Sequence, residues 1–212
     1  MIIRFLAAVV GFVCLSACGG GAQVQTAAPA TSNVVAFMGD SITQFWDLSQ
    51  YDSGPTLNFG VVGNTTVQML ARFDAVIAAR PGVVVILGGI NDMALYDVGQ
   101  ISAPPDIESV KAMAAAAKAA GIKVILCSVL PVLPSYASGQ LAAVSSQVDG
   151  FNQQLMELAK ESGYLYADYY DAMLGDDGTQ NATLFMDPVH PNAAGYAAMW
   201  AVLAPLIAED IG

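Results

Sequence analysis

Val34-Val35-Ala36-Phe37-Met38-Gly39-Asp40-Ser41-Ile42-Thr43 is the stretch on which the fold turns. An unbroken apolar run ends in a glycine, an acid and a serine. Such a run suits a central strand of a parallel sheet, where both faces are covered and no polar alternation is needed. Gly39 then allows a tight turn, and Ser41 would open a helix whose first amides point toward any negative charge that forms there. A serine at that point has two uses: an exposed nucleophile, or an N-cap for the helix.

Reading outward, Val83-Val84-Val85-Ile86-Leu87 and Ile122-Lys123-Val124-Ile125-Leu126 repeat the strand pattern, with weaker candidates at residues 56–62 and 164–167. Helical patterns fill the intervals. Val67, Leu70, Phe73 and Ile77 recur at steps of three and four, as do Ile107, Val110, Met113, Ala114 and Ala117 before Gly121. Phe151, Leu155 and Leu158 precede Gly163, and Tyr196, Met199, Trp200, Leu203 and Ile207 line a last helix that Pro205 should bend or shorten. Strand and helix alternating about five times predict an α/β fold. Right-handed crossovers make this a three-layer α/β/α sandwich of about five parallel strands. Ligands of such sheets bind at the carboxyl ends of the strands, so residues that carry chemistry should follow the strand runs.

The length of 212 residues fits one domain, and 55% hydrophobic against 12% charged residues leaves ample material for a core. A net charge of −11, from 7 basic and 18 acidic residues, repels phosphate backbones and argues against nucleic acid or a polybasic grip on anionic lipid. The first eighteen residues differ in kind: Arg4, an apolar run over residues 5–15, then Leu15-Ser16-Ala17-Cys18. This reads as a secretion signal, too short for an ordinary spanning helix. The last four residues resemble the bacterial lipobox. That resemblance implies lipidation of Cys18 and a protein anchored in the bacterial envelope through its N-terminus alone. With Gly19 rather than Asp next, it implies the outer membrane if the cell is Gram-negative. A plain signal peptide or an uncleaved anchor is the alternative. Residues 19–32, rich in Gly, Ala, Gln, Thr and Ser, read as a tether, and residues 33–212 as the domain. Cys14 would leave with the signal and Cys127 is expected in the core, so no disulfide forms within the domain. One histidine and one remaining thiol cannot build a zinc site, and no cofactor is expected.

Three further segments follow strands or precede helices. Asp187-Pro188-Val189-His190-Pro191 holds the only histidine, with an acid three residues earlier that can orient its ring; a surface-loop histidine bonded to a neighbour is the alternative. Gly88-Gly89-Ile90-Asn91-Asp92 places Asn91 either as a fixed amide donor or as a loop cap. In Asn58-Phe59-Gly60-Val61-Val62-Gly63-Asn64-Thr65-Thr66, Gly63 can offer a backbone N–H, and Asn64 or Thr65 would cap the next helix. Together these make the minimal kit for acyl transfer.

The blocks Gly39-Asp40-Ser41, Gly63, Gly89-Ile90-Asn91-Asp92 and Asp187-Pro188-Val189-His190, in that order, resemble the SGNH (GDSL-like) lipase and esterase superfamily. Residues 57–66 are similar to its platelet-activating-factor acetylhydrolase subgroup, and Ile42 stands where the family name has Leu. The resemblance implies a flavodoxin-like fold with five parallel strands. It implies Ser41 as nucleophile, Asp187 and His190 completing a triad, and Ser41 N–H, Gly63 N–H and the Asn91 amide as oxyanion hole. The implied activity is that of a serine esterase acting on small or short-chain carboxylic esters through an acyl-serine. Lysophospholipids, thioesters and carbohydrate O-acetyl groups are alternative substrates, and transfer to a sugar an alternative outcome. A silent surface binding lipoprotein is the non-enzyme alternative. A flavodoxin-like phosphate binder finds no support, since no GxxxxGK followed by Ser or Thr occurs. Residues 93–106 and 129–146 are expected as loops shaping the pocket, with Trp46 or Tyr136 either lining it or merely packing.

Overall fold

A computed structural model of the chain describes residues 32–51, 54–103, 105–133 and 141–211. The signal segment, Cys18, the tether up to residue 31, and Tyr136 lie outside the described residues. The elements run β1 (Val35–Gly39), α1 (Ser41–Gln44), β2 (Thr56–Gly60), α2 (Thr66–Ala71), α3 (Asp74–Ala79), β3 (Val83–Leu87), α4 (Ile90–Asp97), α5 (Glu108–Ala119), β4 (Lys123–Cys127), α6 (Leu141–Ser162), β5 (Leu165–Ala167), α7 (Tyr169–Ala172) and α8 (Ala193–Ile211). All strand pairs are parallel, in the order β2-β1-β3-β4-β5. This is the flavodoxin-like order, and the helices that flank the sheet complete the α/β sandwich.

The strength of each strand signal follows its place in the sheet. β1 and β3 lie side by side in the interior and are buried at every residue. β2 and β5 are the edges; β2 carries Asn58 and an exposed Leu57, so the apolar pattern is diluted there. Val110, Met113, Ala114 and Ala117 of α5 are buried as their spacing predicts. Each large side chain buried in this way contributes roughly 1.5–3 kcal/mol relative to leaving it in water.

Several expectations fail. Residues 67–77 do not form one helix with Val67, Leu70, Phe73 and Ile77 inward. The chain forms two helices, α2 and α3; Thr66, Met69, Phe73 and Val76 are buried, and Val67 is 65% exposed. The reason is the join at Arg72, whose backbone N–H closes a tight last turn of α2 and shifts the phase of the pattern that follows. Pro205 does not shorten α8, which runs through it with Leu203 and Ile207 buried on either side. Packing on both sides outweighs the roughly 3 kcal/mol that an interior proline costs. Residues 93–106 are not simply a loop, because α4 extends to Asp97 and buries Met93. Residues 129–146 begin with buried Val129, Leu130 and Val132 and run into α6. Trp46, 4% exposed, lines no pocket. Its ring stacks on Tyr196 at 5.4 Å and meets Phe37, Tyr51 and Tyr169 edge-on. Cys127 is free and buried, and burial pushes its thiol up to about 12.

Candidate active site

β1 and β3 are neighbours, but the chain leaves β1 toward β2 and leaves β3 toward β4 on the opposite side. The strand order reverses between them, which opens a crevice at their carboxyl ends. Ser41 follows β1 after one residue, and Asn91 lies in the first turn of α4, directly after β3. The serine can approach β3 because position 39 has no side chain: a Cβ there would run into the Thr43 side chain and the Leu87 carbonyl.

The two readings of Ser41 are separated by its neighbour. Asp40 is the N-cap of α1, its Oδ1 accepting the Ile42 N–H at 2.9 Å, so the Ser41 hydroxyl is not used for capping. That hydroxyl lies 2.9 Å from His190 Nε2. Asp40 itself is fully buried, and its Oδ2 has no hydrogen-bond partner. Burial pushes its carboxyl up to about 7, against the opposing pull of the Ile42 N–H and His190.

His190 Nδ1 is 2.7 Å from Asp187 Oδ2. The other carboxylate oxygen of Asp187 accepts the Val189 N–H at 2.9 Å and the His190 N–H at 2.8 Å. Partial burial would raise this acid, but the two amides and the imidazole hold it below the ordinary carboxylate range. A carboxylate on Nδ1 assigns the ring proton to that nitrogen, which leaves Nε2 to accept from Ser41. Phe45 borders the ring, centroid to centroid 5.4 Å. Ser41, His190 and Asp187 thus form one hydrogen-bonded line.

The remaining two predicted residues meet each other. Asn91 Nδ2 donates to the Asn64 carbonyl at 3.0 Å, leaving its second amide hydrogen for a ligand. Gly63 sits in a turn closed by Asn64 N–H on the Val61 carbonyl, with φ of 76°, a conformation that favours glycine. Among the described residues, the Ser41 and Gly63 N–H groups donate to no protein acceptor. Thr65, not Asn64, caps α2 and forms a capping box with Gln68.

Sequence reasoning missed the residues that hold these pieces together. Asp92 accepts both the N–H (2.9 Å) and the hydroxyl (2.7 Å) of Thr66, tying the start of α4 to the start of α2. Gln44 accepts the Val62 N–H at 2.7 Å, and Tyr196 donates to the Ile42 carbonyl at 2.9 Å. Arg72 donates to Gly39 O, Phe59 O and Asn64 Oδ1. Asp92 belongs to a quoted motif and was within reach; Arg72 reads only as a cation at a helix end. Among the described residues no His, Cys, Asp and Glu cluster could hold a metal ion.

A parallel α/β sandwich with hydroxyl, imidazole and carboxylate in line at its active edge defines a hydrolase of the serine type. The chain matches the GDSL-like lipase/acylhydrolase family over residues 37–198. It belongs to that family and is a carboxylic ester hydrolase. No curated protein sequence matches it. Among solved structures it is similar to a GDSL-like lipase from Bacteroides thetaiotaomicron, with 30% identity, coverage of 84% of this chain and 88% of that one, and a TM-score of 0.72. A candidate acylhydrolase from Bacteroides fragilis gives 29% identity, 85% and 88% coverage, and 0.75. A catalytic mutant of an acetylxylan esterase from Geobacillus stearothermophilus, at 22% identity, 84% and 94% coverage and 0.63, shares the fold.

Proposed function

We propose that this ester hydrolase is a serine esterase that removes small or short acyl groups through an acyl-serine intermediate. The observation that carries the reading is the line Ser41 Oγ to His190 Nε2 at 2.9 Å and His190 Nδ1 to Asp187 Oδ2 at 2.7 Å. His190 takes the hydroxyl proton as Ser41 Oγ attacks the ester carbonyl carbon. The tetrahedral oxyanion receives hydrogen bonds from Ser41 N–H, Gly63 N–H and the Asn91 amide. Collapse breaks the C–O bond to the alcohol, which takes the proton back from His190 and leaves. Water, deprotonated by the same ring, then attacks the acyl-serine and releases the acid. Asp187 keeps the imidazole in one tautomer and stabilises its charged form.

Short acyl groups are favoured because the connections that carry Ser41 and Asn91 are one and two residues long and build no deep wall beside the serine. We extend the proposal to location: the lipobox-like Leu15-Ser16-Ala17-Cys18 supports lipidation at Cys18 and anchoring at the bacterial envelope, in reach of acetylated glycans. The test is hydrolysis of p-nitrophenyl acetate, butyrate and a long-chain homologue by the purified protein and by Ser41→Ala. Turnover that is fastest on acetate and absent in the variant is expected. Full activity in Ser41→Ala would end the serine mechanism, and a long-chain preference would end the short-acyl reading.

A further inference from the structure

We propose that Arg72 is a positioning residue of the oxyanion hole, locking all three of its donors with one guanidinium. The inference rests on the esterase reading above and assigns a task to a residue that touches neither Ser41 nor His190.

Three hydrogen bonds carry it. Arg72 Nη2 donates to the Gly39 carbonyl at 2.8 Å, Nη1 to the Phe59 carbonyl at 2.7 Å, and Nε to Asn64 Oδ1 at 2.7 Å. The acceptors lie at the end of β1, at the end of β2, and in the turn that carries Gly63. Gly39 also accepts the Val61 N–H at 3.1 Å, so both lone pairs of that carbonyl are occupied. The peptide that Gly39 O belongs to leads into Asp40, and the next peptide carries the Ser41 N–H. Asn64 follows Gly63 directly, and its own carbonyl receives the Asn91 amide at 3.0 Å. Each proposed donor is therefore at most two residues, or one hydrogen bond, from a group that Arg72 grips.

The chemistry favours arginine at this point. Its planar fork can hold three acceptors at fixed angles, whereas a lysine ammonium is a compact point donor on a flexible stem. Among the described residues no carboxylate pairs with Arg72, and burial is the cause of the downward shift of its guanidinium, which nonetheless stays protonated. The positive charge is solvated only by carbonyl dipoles on the side of the site where negative charge develops. A donor displaced by about 1 Å can cost about a hundredfold in rate, so a fastener of this kind acts on turnover more than on substrate capture.

The experiment measures kcat and KM on p-nitrophenyl acetate for the full-length parent, Arg72→Lys, Arg72→Ala, Asn91→Ala and the Arg72→Ala/Asn91→Ala pair. Arg72→Lys is expected to lower kcat by about 10- to 100-fold with KM within about twofold, the pattern of an interaction made in the transition state. Guanidinium ions, at concentrations well below those that unfold the protein, are expected to restore part of the turnover of Arg72→Ala, while equal sodium chloride does not. The double variant is expected to lose less than the product of the two single losses, because the residues act on one hole. Parent-level kcat in Arg72→Lys, full multiplication with Asn91→Ala, or no rescue of folded Arg72→Ala by guanidinium would each overturn the proposal. Inactive Ser41→Ala and weakened Asn91→Ala alongside unaffected Arg72 variants would sink it alone. Parent activity in Ser41→Ala would remove the esterase reading and this proposal with it.

Discussion

Ser41 and His190 meet at 2.9 Å, yet the halves of the site that bring them there are held in different ways. The serine half is buried: Ser41 is 6% exposed, Asp40 0% and Asp92 6%. Its fastenings cross the fold, joining Thr66 to Asp92, Asn64 to Asn91, Val62 to Gln44 and Arg72 to Gly39. The histidine half is more open, with the His190 and Asp187 side chains 21% and 42% exposed. Its fastenings are mainly local: Asp187 accepts from residues two and three positions on, and Met186 N–H donates to His190 O. One longer tie, Leu133 N–H to the Pro188 carbonyl, sets the loop against the chain after β4. A tetrapeptide can orient a ring against its own acid. A nucleophile among backbone donors needs several strand ends at once.

The comparison can be broken most sharply where the halves join. His190→Ala should lower kcat by about 10⁶, as losing the base of a triad does, because no second imidazole exists in the chain. Retained turnover on p-nitrophenyl acetate would mean that the halves do not work together. Asp187→Ala should cost about 10⁴. Asp187→Asn keeps the oxygen that accepts the Val189 and His190 amides while losing the carboxylate on the ring. It should be as inactive as the alanine variant but unfold in urea within about 0.5 kcal/mol of the parent. A large instability would show that the histidine half is less self-contained than its hydrogen bonds imply.

On the serine half, Asn91→Ala should lower kcat by about 10²–10³ with a native circular dichroism spectrum. Asp92→Ala should act on the fold instead. It strands the N–H and hydroxyl of Thr66, which is 2% exposed, at a cost of about 1–3 kcal/mol in urea unfolding. A neutral Asp92→Ala would contradict the claim that this half depends on cross-fold ties.

The smallest effect concerns pH. Asp40 titrates at about 7 in the folded chain against 3.8 for the free group. Between those values the folded protein holds a proton that the unfolded chain has released, so Asp40's contribution to stability is complete below the lower value and is lost as pH rises through the upper one. Asp187, held below its ordinary value, has the opposite sign: its contribution is present above that value and lost on acidification. Asp40→Asn can still accept the Ile42 N–H and should flatten the fall in stability between about pH 4 and 7, as read from urea unfolding at several pH values. An unchanged slope would remove the buried acid from the account.

Much of this was legible in the residues. The interior strands announce themselves because burial on both faces forbids polar alternation, and the chemistry-bearing blocks follow them because a parallel sheet puts its crevice there. Thr65 and Asn64 could not be ranked as caps from sequence, since either offers an oxygen; the Gln68 side chain that completes the box decides for Thr65. Trp46 could be rim or core, and a ring stacked on Tyr196 from the last helix decides for core. The misread face of residues 67–77 came from assuming one helix, when a turn at Arg72 resets the phase.

The sequence by itself determined the order of strands and helices and which residues carry chemistry. Periodicity, glycines and the sole histidine are properties of the chain that need no partner. The tertiary structure alone decided that Asp40 rather than Ser41 caps the helix, that His190 reaches a serine 149 positions away, and that Arg72 spans the ends of two strands and a turn. Those are hydrogen bonds between segments remote along the chain, and their geometry exists only once the sheet has brought the strand ends together.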